Sequence, residues 1–257
     1  MRMSLNQRPR RAGRRAGASD PFPHGRPRPL RHTKGSEGKR VTHHDCHIME
    51  ILKDATAEQH RDAERRRLQA DMVRGRLTAA KYSDWLGQMF LLHRALWEEI
   101  ERKRGECGPL ADVVRDDGCH VSNLRADLAR LSVSPDGVRP LPSTLRAILA
   151  IRHAAEAEPL ALLGYNYVLE GSMNGNRFIA RAMQPTLSVP AFSYLDPYGE
   201  AQRPIWLAYR ERMNALELDA GQAERLIAAA RDMFAFIASM SDELVEEPVP
   251  AVARGTT

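Results

Sequence analysis

Few residues of this chain could do chemistry unaided; the sharpest candidates are one histidine and a pair of glycines. His60 lies in a helical-period stretch among Glu58, Arg61, Asp62 and Glu64. A neutral imidazole there can ligate a metal or haem iron. Glu64, four residues on, shares its helical face and can accept a hydrogen bond from the ring's other nitrogen. By spacing alone, a lone helix histidine is more often simply solvated, and Glu64 an exposed carboxylate. Gly171 and Gly175 are also four apart and so fall on one helical face. Each costs about 1 kcal/mol relative to alanine inside a helix. Three readings offset that cost: close packing of a neighbouring helix, a break at Asn174–Gly175, or a backbone that must approach a flat ligand.

The other constellations are weaker. His93 falls on an apolar stripe and reads as a packed core histidine. His120, just after Gly118, reads as a capping or solvent-exposed residue, and His153 as a partner of its helix's C-terminal dipole. His43-His44-Asp45-Cys46-His47 looks metal-like but sits in a tail. Cys107 and Cys119 lack a second ligand pair at zinc spacing. Asp117-x-x-His120 is the only carboxylate-x-x-His match, so a di-iron bundle is disfavoured. There is no nucleophile elbow, phosphate loop or dinucleotide fingerprint.

The elements that must position these residues are helical. The chain has 257 residues, 43% hydrophobic and 28% charged, enough for one sizeable domain. Its net charge of +5 is an average over unlike parts. Residues 1–48 carry twelve Lys and Arg, three acids and five prolines with no apolar face. This predicts a disordered basic tail, with Met49 a candidate true start. The body is mildly acidic, so the basic balance does not argue for nucleic acid. No run approaches a membrane span, no secretory signal is evident, and three cysteines make no disulfide framework, which fits the cytoplasm.

From residue 49 to 246 the period predicts a single all-α domain, followed by a disordered tail over 247–257. A first helix runs from about Ile51 to Arg67. Thr78 caps a long second one, whose stripe includes Tyr82, Trp85, Phe90, His93 and Ile100. Shorter helices follow over about 110–116 and 121–131, and Ser143 caps another that ends near Glu156. A helical stretch over about 159–183 is interrupted by Gly171 and Gly175. Residues 184–198 cross irregularly; helices over 201–215 and about 219–246 complete the body.

Leu52-Lys53-Asp54-Ala55-Thr56-Ala57-Glu58-Gln59-His60-Arg61-Asp62-Ala63-Glu64 resembles the proximal helix of haem oxygenases, a Leu-Lys-x-Ala-Thr-x-x-x-His-x-x-Ala-Glu pattern. Leu96-Trp97-Glu98-Glu99-Ile100-Glu101 continues the likeness, and Tyr167-Val168-Leu169-Glu170-Gly171-Ser172 resembles the start of the distal helix in bacterial members. Tyr198-Gly199 and the helix bearing Trp206 fit the C-terminal part, so the resemblance covers about residues 49–246. It implies a single-domain multi-helix bundle with a kinked, glycine-containing distal helix.

The resemblance further implies haem as substrate and cofactor, with His60 the iron ligand and Glu64 orienting it. Tyr167 would join the haem contacts, Lys53 and Arg210 would face the propionates, and Arg203 and Arg212 are further candidates there. Gly171 and Gly175 would let the distal helix lie against the porphyrin, and Glu170 or Ser172 would stand where the family places a water-organising aspartate. The implied reaction opens haem to biliverdin with release of iron and carbon monoxide, using dioxygen. The electrons come from an external reductase or ferredoxin, docked on a local basic patch. A bilin-accepting photoreceptor is a further implied partner. The alternative is a non-catalytic haem-binding or haem-sensing protein of the same fold. The chain departs from the family where Ser172-Met173-Asn174-Gly175-Asn176-Arg177 replaces a Gly-Gly pair and a glutamine, so that Asn174 and Arg177 could point inward. A serine relays protons less well than a carboxylate.

Overall fold

The structure, a computed structural model, describes residues 47–188 and 190–246. The expected tails and the His43–His47 cluster lie outside those residues apart from His47 and Ile48, and Ile48, expected in the tail, is the buried first residue of a helix. All described residues belong to one unit, and no strand occurs among them.

Ten α-helices build it. The region expected as one N-terminal helix is three short ones: α1 (Ile48–Ala55), α2 (Ala57–Arg65) and α3 (Arg67–Val73). Thr56 makes the first break. Its buried hydroxyl donates back to the Leu52 carbonyl at 2.7 Å, a bond that competes with helix continuation. Arg66 makes the second, with an extended backbone and a guanidinium shared between Asp62 and Asp242. His60 therefore sits on a nine-residue helix that is set independently of its neighbours.

α4 (Ala79–Lys103) follows the expected stripe, and the Thr78 hydroxyl accepts from the Lys81 amide as its N-cap. α5 (Gly108–Val113) and α6 (Val121–Arg130) are short. α7 (Pro142–Ala157) starts on Pro142, whose fixed φ suits the first helical position. Ser143 is thus not the cap; its amide and hydroxyl both donate to Glu243 across the core. α8 (Leu162–Met183) follows a 3₁₀ turn at Pro159–Ala161 and runs unbroken through Gly171 and Gly175, where an interruption was expected. Glycine keeps its amide, so the hydrogen-bond ladder survives when packing supports it.

α9 (Gln202–Asn214) and α10 (Ala220–Glu246) close the fold. α10 packs on α8, α7, α2 and α3, and so underlies both halves of the molecule. At its crossing with α8, a Cβ on Gly164 would collide with the Leu226 carbonyl oxygen and lie 2.8 Å from the Ala229 Cβ. Only glycine lets the two helices come so close. The irregular stretch after α8 is anchored by buried Asp127, which accepts the amides of Ser193 and Tyr194 at 3.0 and 2.8 Å. Tyr82 also donates to the Ala191 carbonyl.

Candidate active site

His60 projects from α2 with its side chain 52% exposed. Nδ1 lies 3.5 Å from a Glu64 carboxylate oxygen, and the ring meets Phe234 of α10 edge-on, with centroids 5.5 Å apart. The carboxylate thus takes the Nδ1 side, and Nε2 is the nitrogen available to a ligand. α2 is clamped from below: Arg66 pairs with Asp242, and Arg231 of α10 donates to the Ala55 carbonyl.

α8 presents two faces. Asn166, Leu169, Glu170, Met173 and Asn176 are buried, whereas Tyr167, Gly171, Asn174 and Gly175 are partly open and Phe178 is exposed. Tyr167, at the head of the open row, lies beside Thr56 and Arg210, and burial raises its hydroxyl pKa. Thr56 is one turn before His60, whose amide donates to the Thr56 carbonyl. The Met49 amide donates to Asn214, tying α1 to α9. These contacts bring together the elements that carry His60, Tyr167 and Arg210, while Lys53 is exposed on α1. Arg203 is exposed on α9, and Arg212 is held inward by its Nε bond to the Val113 carbonyl.

Gly171 faces the Trp206 indole, where an added Cβ would make ordinary contact at 3.4 Å. Trp206 stacks on buried Tyr209, with centroids 5.5 Å apart and 13° between planes. Asn174 turns to its own helix, donating to the Gly171 carbonyl and accepting from Gln202. Arg177 pairs with Glu200. Neither side chain points inward as the altered motif suggested. Ser172 donates to the Leu169 carbonyl at 2.7 Å.

Glu170 is buried on the far side of α8. Its Oε1 accepts from the Tyr198 hydroxyl at 2.9 Å, and its Oε2 lies 3.3 Å from His120 Nε2. His120 stands at the N-cap position of α6, though its side chain makes no cap hydrogen bond, and it is only 2% exposed, which corrects the expectation of solvent exposure. The cause is the loop after α5, which turns the ring in between α4 and α8, where it meets His93 and Tyr194 edge-on. His93 is buried as expected, and burial lowers its pKa. Sequence reasoning missed Tyr194 and Gly164, and gave Tyr198 no role; the glycine in the apolar start of α8 was the one legible signal.

This bundle, with a histidine on a short helix and two glycines on a facing one, has the fold of the haem oxygenases. A solved haem oxygenase from Leptospira interrogans superimposes with a TM-score of 0.72 at 20% identity, covering 77% of this chain and all of that one. Heme oxygenase-1 from the cyanobacterium Synechocystis, solved in complex with heme, gives 0.71 at 22% identity over 77% and 92% of the two chains. Human heme oxygenase 1 is 26% identical over 209 residues, 77% of this chain and 72% of the human one. A sequence model described as Heme oxygenase matches residues 47–243, and the chain belongs to that family. Its general class is that of a haem-degrading oxygenase. No described helix is long and apolar enough to cross a membrane.

The residues present fit haem. The donor set combines an imidazole with a carboxylate oxygen 3.5 Å from its Nδ1, bases on α1 and α9, and a glycine row on α8.

Proposed function

We propose that this chain opens haem to biliverdin, iron and carbon monoxide, drawing electrons from a separate reductase or ferredoxin. The observation that carries this reading is His60 Nδ1 against Glu64, which leaves Nε2 as the nitrogen that would hold haem iron. When bound, haem supplies the iron at which dioxygen is reduced and is itself the molecule consumed. The protein's residues divide the remaining work. Glu64 favours the His60 tautomer with a bare Nε2. Lys53 and Arg210 are the bases offered to the propionates, and Tyr167 stands beside Arg210 as a further haem contact. Gly171 and Gly175 leave backbone rather than side chains on the open face of α8. Ser172, at the edge of the open face, is the polar group offered to the distal side, with Glu170 on the buried side of the same helix, and the two described cysteines are free, in keeping with a reducing compartment.

Anaerobic haem titration followed by oxygen and ascorbate tests the reading. The unaltered chain should give an axial-histidine spectrum and then a bilin band, and His60→Ala should lose the first. An unchanged spectrum in His60→Ala refutes ligation there. Haem that persists without a bilin band assigns the non-catalytic haem-binding reading, which the back-bonded Ser172 hydroxyl favours.

A further inference from the structure

Away from the glycine face, α4 and α6 pack side by side and leave a groove of about 680 Å³ between them. That volume is within the range of small-molecule sites. Trp97 of α4, Cys119 ahead of α6, and Val121, Ala126 and Ala129 of α6 form its apolar lining. None of its lining residues comes from α2, α8 or α9.

The hollow follows from how α6 is turned. Leu124 and Leu128 are fully buried and seat that helix on the core. The neighbouring face carries Ala126 and Ala129, which are too short to fill the space beside the half-buried Trp97 indole. Burial raises the Cys119 thiol pKa, so the sulfur lines the groove as a neutral group.

The charges of the groove are not balanced. Arg94 and Arg125, which also line it, each hold a guanidinium 5.2 Å from the centroid of the same buried ring, Phe90. A ring face attracts a cation, but two cations drawn to one ring repel each other. Glu98, 3.8 Å from Arg94, offsets one of them. Arg104, over the Trp97 ring, is matched by Glu101 and Asp116. Arg125 has no ion pair among the described residues and is exposed. One unmatched guanidinium beside an apolar trough complements one anionic head on an apolar body, and the planar fork of arginine fits a carboxylate.

We propose that the α4–α6 groove is a second ligand site, which takes an amphipathic monocarboxylate. Arg125 holds the carboxylate, and the apolar chain lies along Trp97, Val121 and Ala126. A dicarboxylate would bring its second charge toward Glu98, and a concave trough suits a single molecule better than a bilayer surface. The site is separate from the glycine face and uses no step of the haem-opening reading.

Decanoate is the probe, with decanol and decylammonium as controls of equal chain length, each kept below its aggregation threshold and added to the full chain. Calorimetry should show one decanoate bound per chain, decanol bound more weakly, and decylammonium not bound. Nitrogen-15 NMR should place the shifts on α4 and α6, including the Trp97 indole. Arg125→Gln should weaken decanoate about tenfold or more, the loss of one charge-assisted contact, and Arg125→Lys should recover part of it. Ala126→Trp should fill the groove and abolish binding. Circular dichroism checks that each variant is folded; Arg125 is exposed, so its two variants decide the matter even if Ala126→Trp does not fold. Absence of saturable decanoate binding overturns the proposal, as does equal binding of decylammonium. Shifts centred on α8 and α9, or an unchanged affinity in Arg125→Gln, overturn it too. Binding to phosphatidylglycerol vesicles without binding of decanoate would replace the site with a membrane-facing surface.

Discussion

Gly164→Ala tests the crossing on which the site is built. The new methyl would strike the Leu226 carbonyl oxygen and sit 2.8 Å from the Ala229 Cβ and 3.1 Å from the Ala230 amide nitrogen. Two of these three atoms are backbone, so no rotamer change can clear them; the helices must part. Overpacking of this kind costs typically about 1–3 kcal/mol, and a fixed obstacle belongs at the upper end. Separation also forfeits dispersion among buried Leu163, Leu226 and Met233, since a gap of even 0.5–1 Å loses roughly a quarter to a half of each contact. Alanine returns about 1 kcal/mol of helix propensity. The net loss is about 2 kcal/mol, or a melting temperature lower by about 4–8 °C for a domain of this size. Thermal unfolding followed by circular dichroism measures it directly. A Gly164→Ala protein that melts at or above the unaltered temperature would refute the claim that this glycine is needed for close approach.

Gly171→Ala should behave oppositely, because its methyl meets the indole of Trp206 at an ordinary distance; the unloaded protein should gain about 1 kcal/mol in denaturant unfolding while haem titration shows weaker binding. Asp127→Ala should cost about 3 kcal/mol in the same unfolding assay, since two amides and Arg130 lose a fully buried acceptor. The depressed His93 pKa has a definite sign: the unfolded chain takes up a proton that the folded chain refuses. Stability is therefore complete above about pH 6.5 and falls as the pH is lowered. Urea midpoints measured across that range should show less acid sensitivity in His93→Phe than in the unaltered chain.

The helices legible in the sequence are those whose period is long and whose ends are punctuated. α4, with its Thr78 cap and continuous stripe, and α9 and α10 lie within a residue or two of their expected bounds. The N-terminal region was misread as one helix because its apolar period continues across Thr56 and Arg66, and the breaks depend on a buried hydroxyl and on a partner 176 residues away. The Gly171 interruption was misread for the converse reason: propensity is local, whereas the packing by Trp206 comes from a distant helix. At the site, His60 and Glu64 were visible as an i, i+4 pair, and the structure sets them side by side. The burial of His120 was not visible, because its partners Glu170 and Tyr198 follow 50 and 78 residues later. Spacing rules read one helix at a time; a cluster drawn from three elements has no period.

The long α10 has a consequence for the order in which the molecule is made. It receives α1, α2 and α3 on its surface, through contacts such as Arg66–Asp242 and Arg231 to the Ala55 carbonyl, across 176 residues of chain in each case. Helices this short are marginal alone. During synthesis they leave the ribosome long before the helix that seats them, so the histidine-bearing segment must wait until nearly the whole domain has emerged. Loop closure over such a distance is slow compared with local helix pairing. A nascent chain stalled before α10 would therefore carry His60 on a segment without a platform, and the seat of that histidine would be completed only when α10 is made.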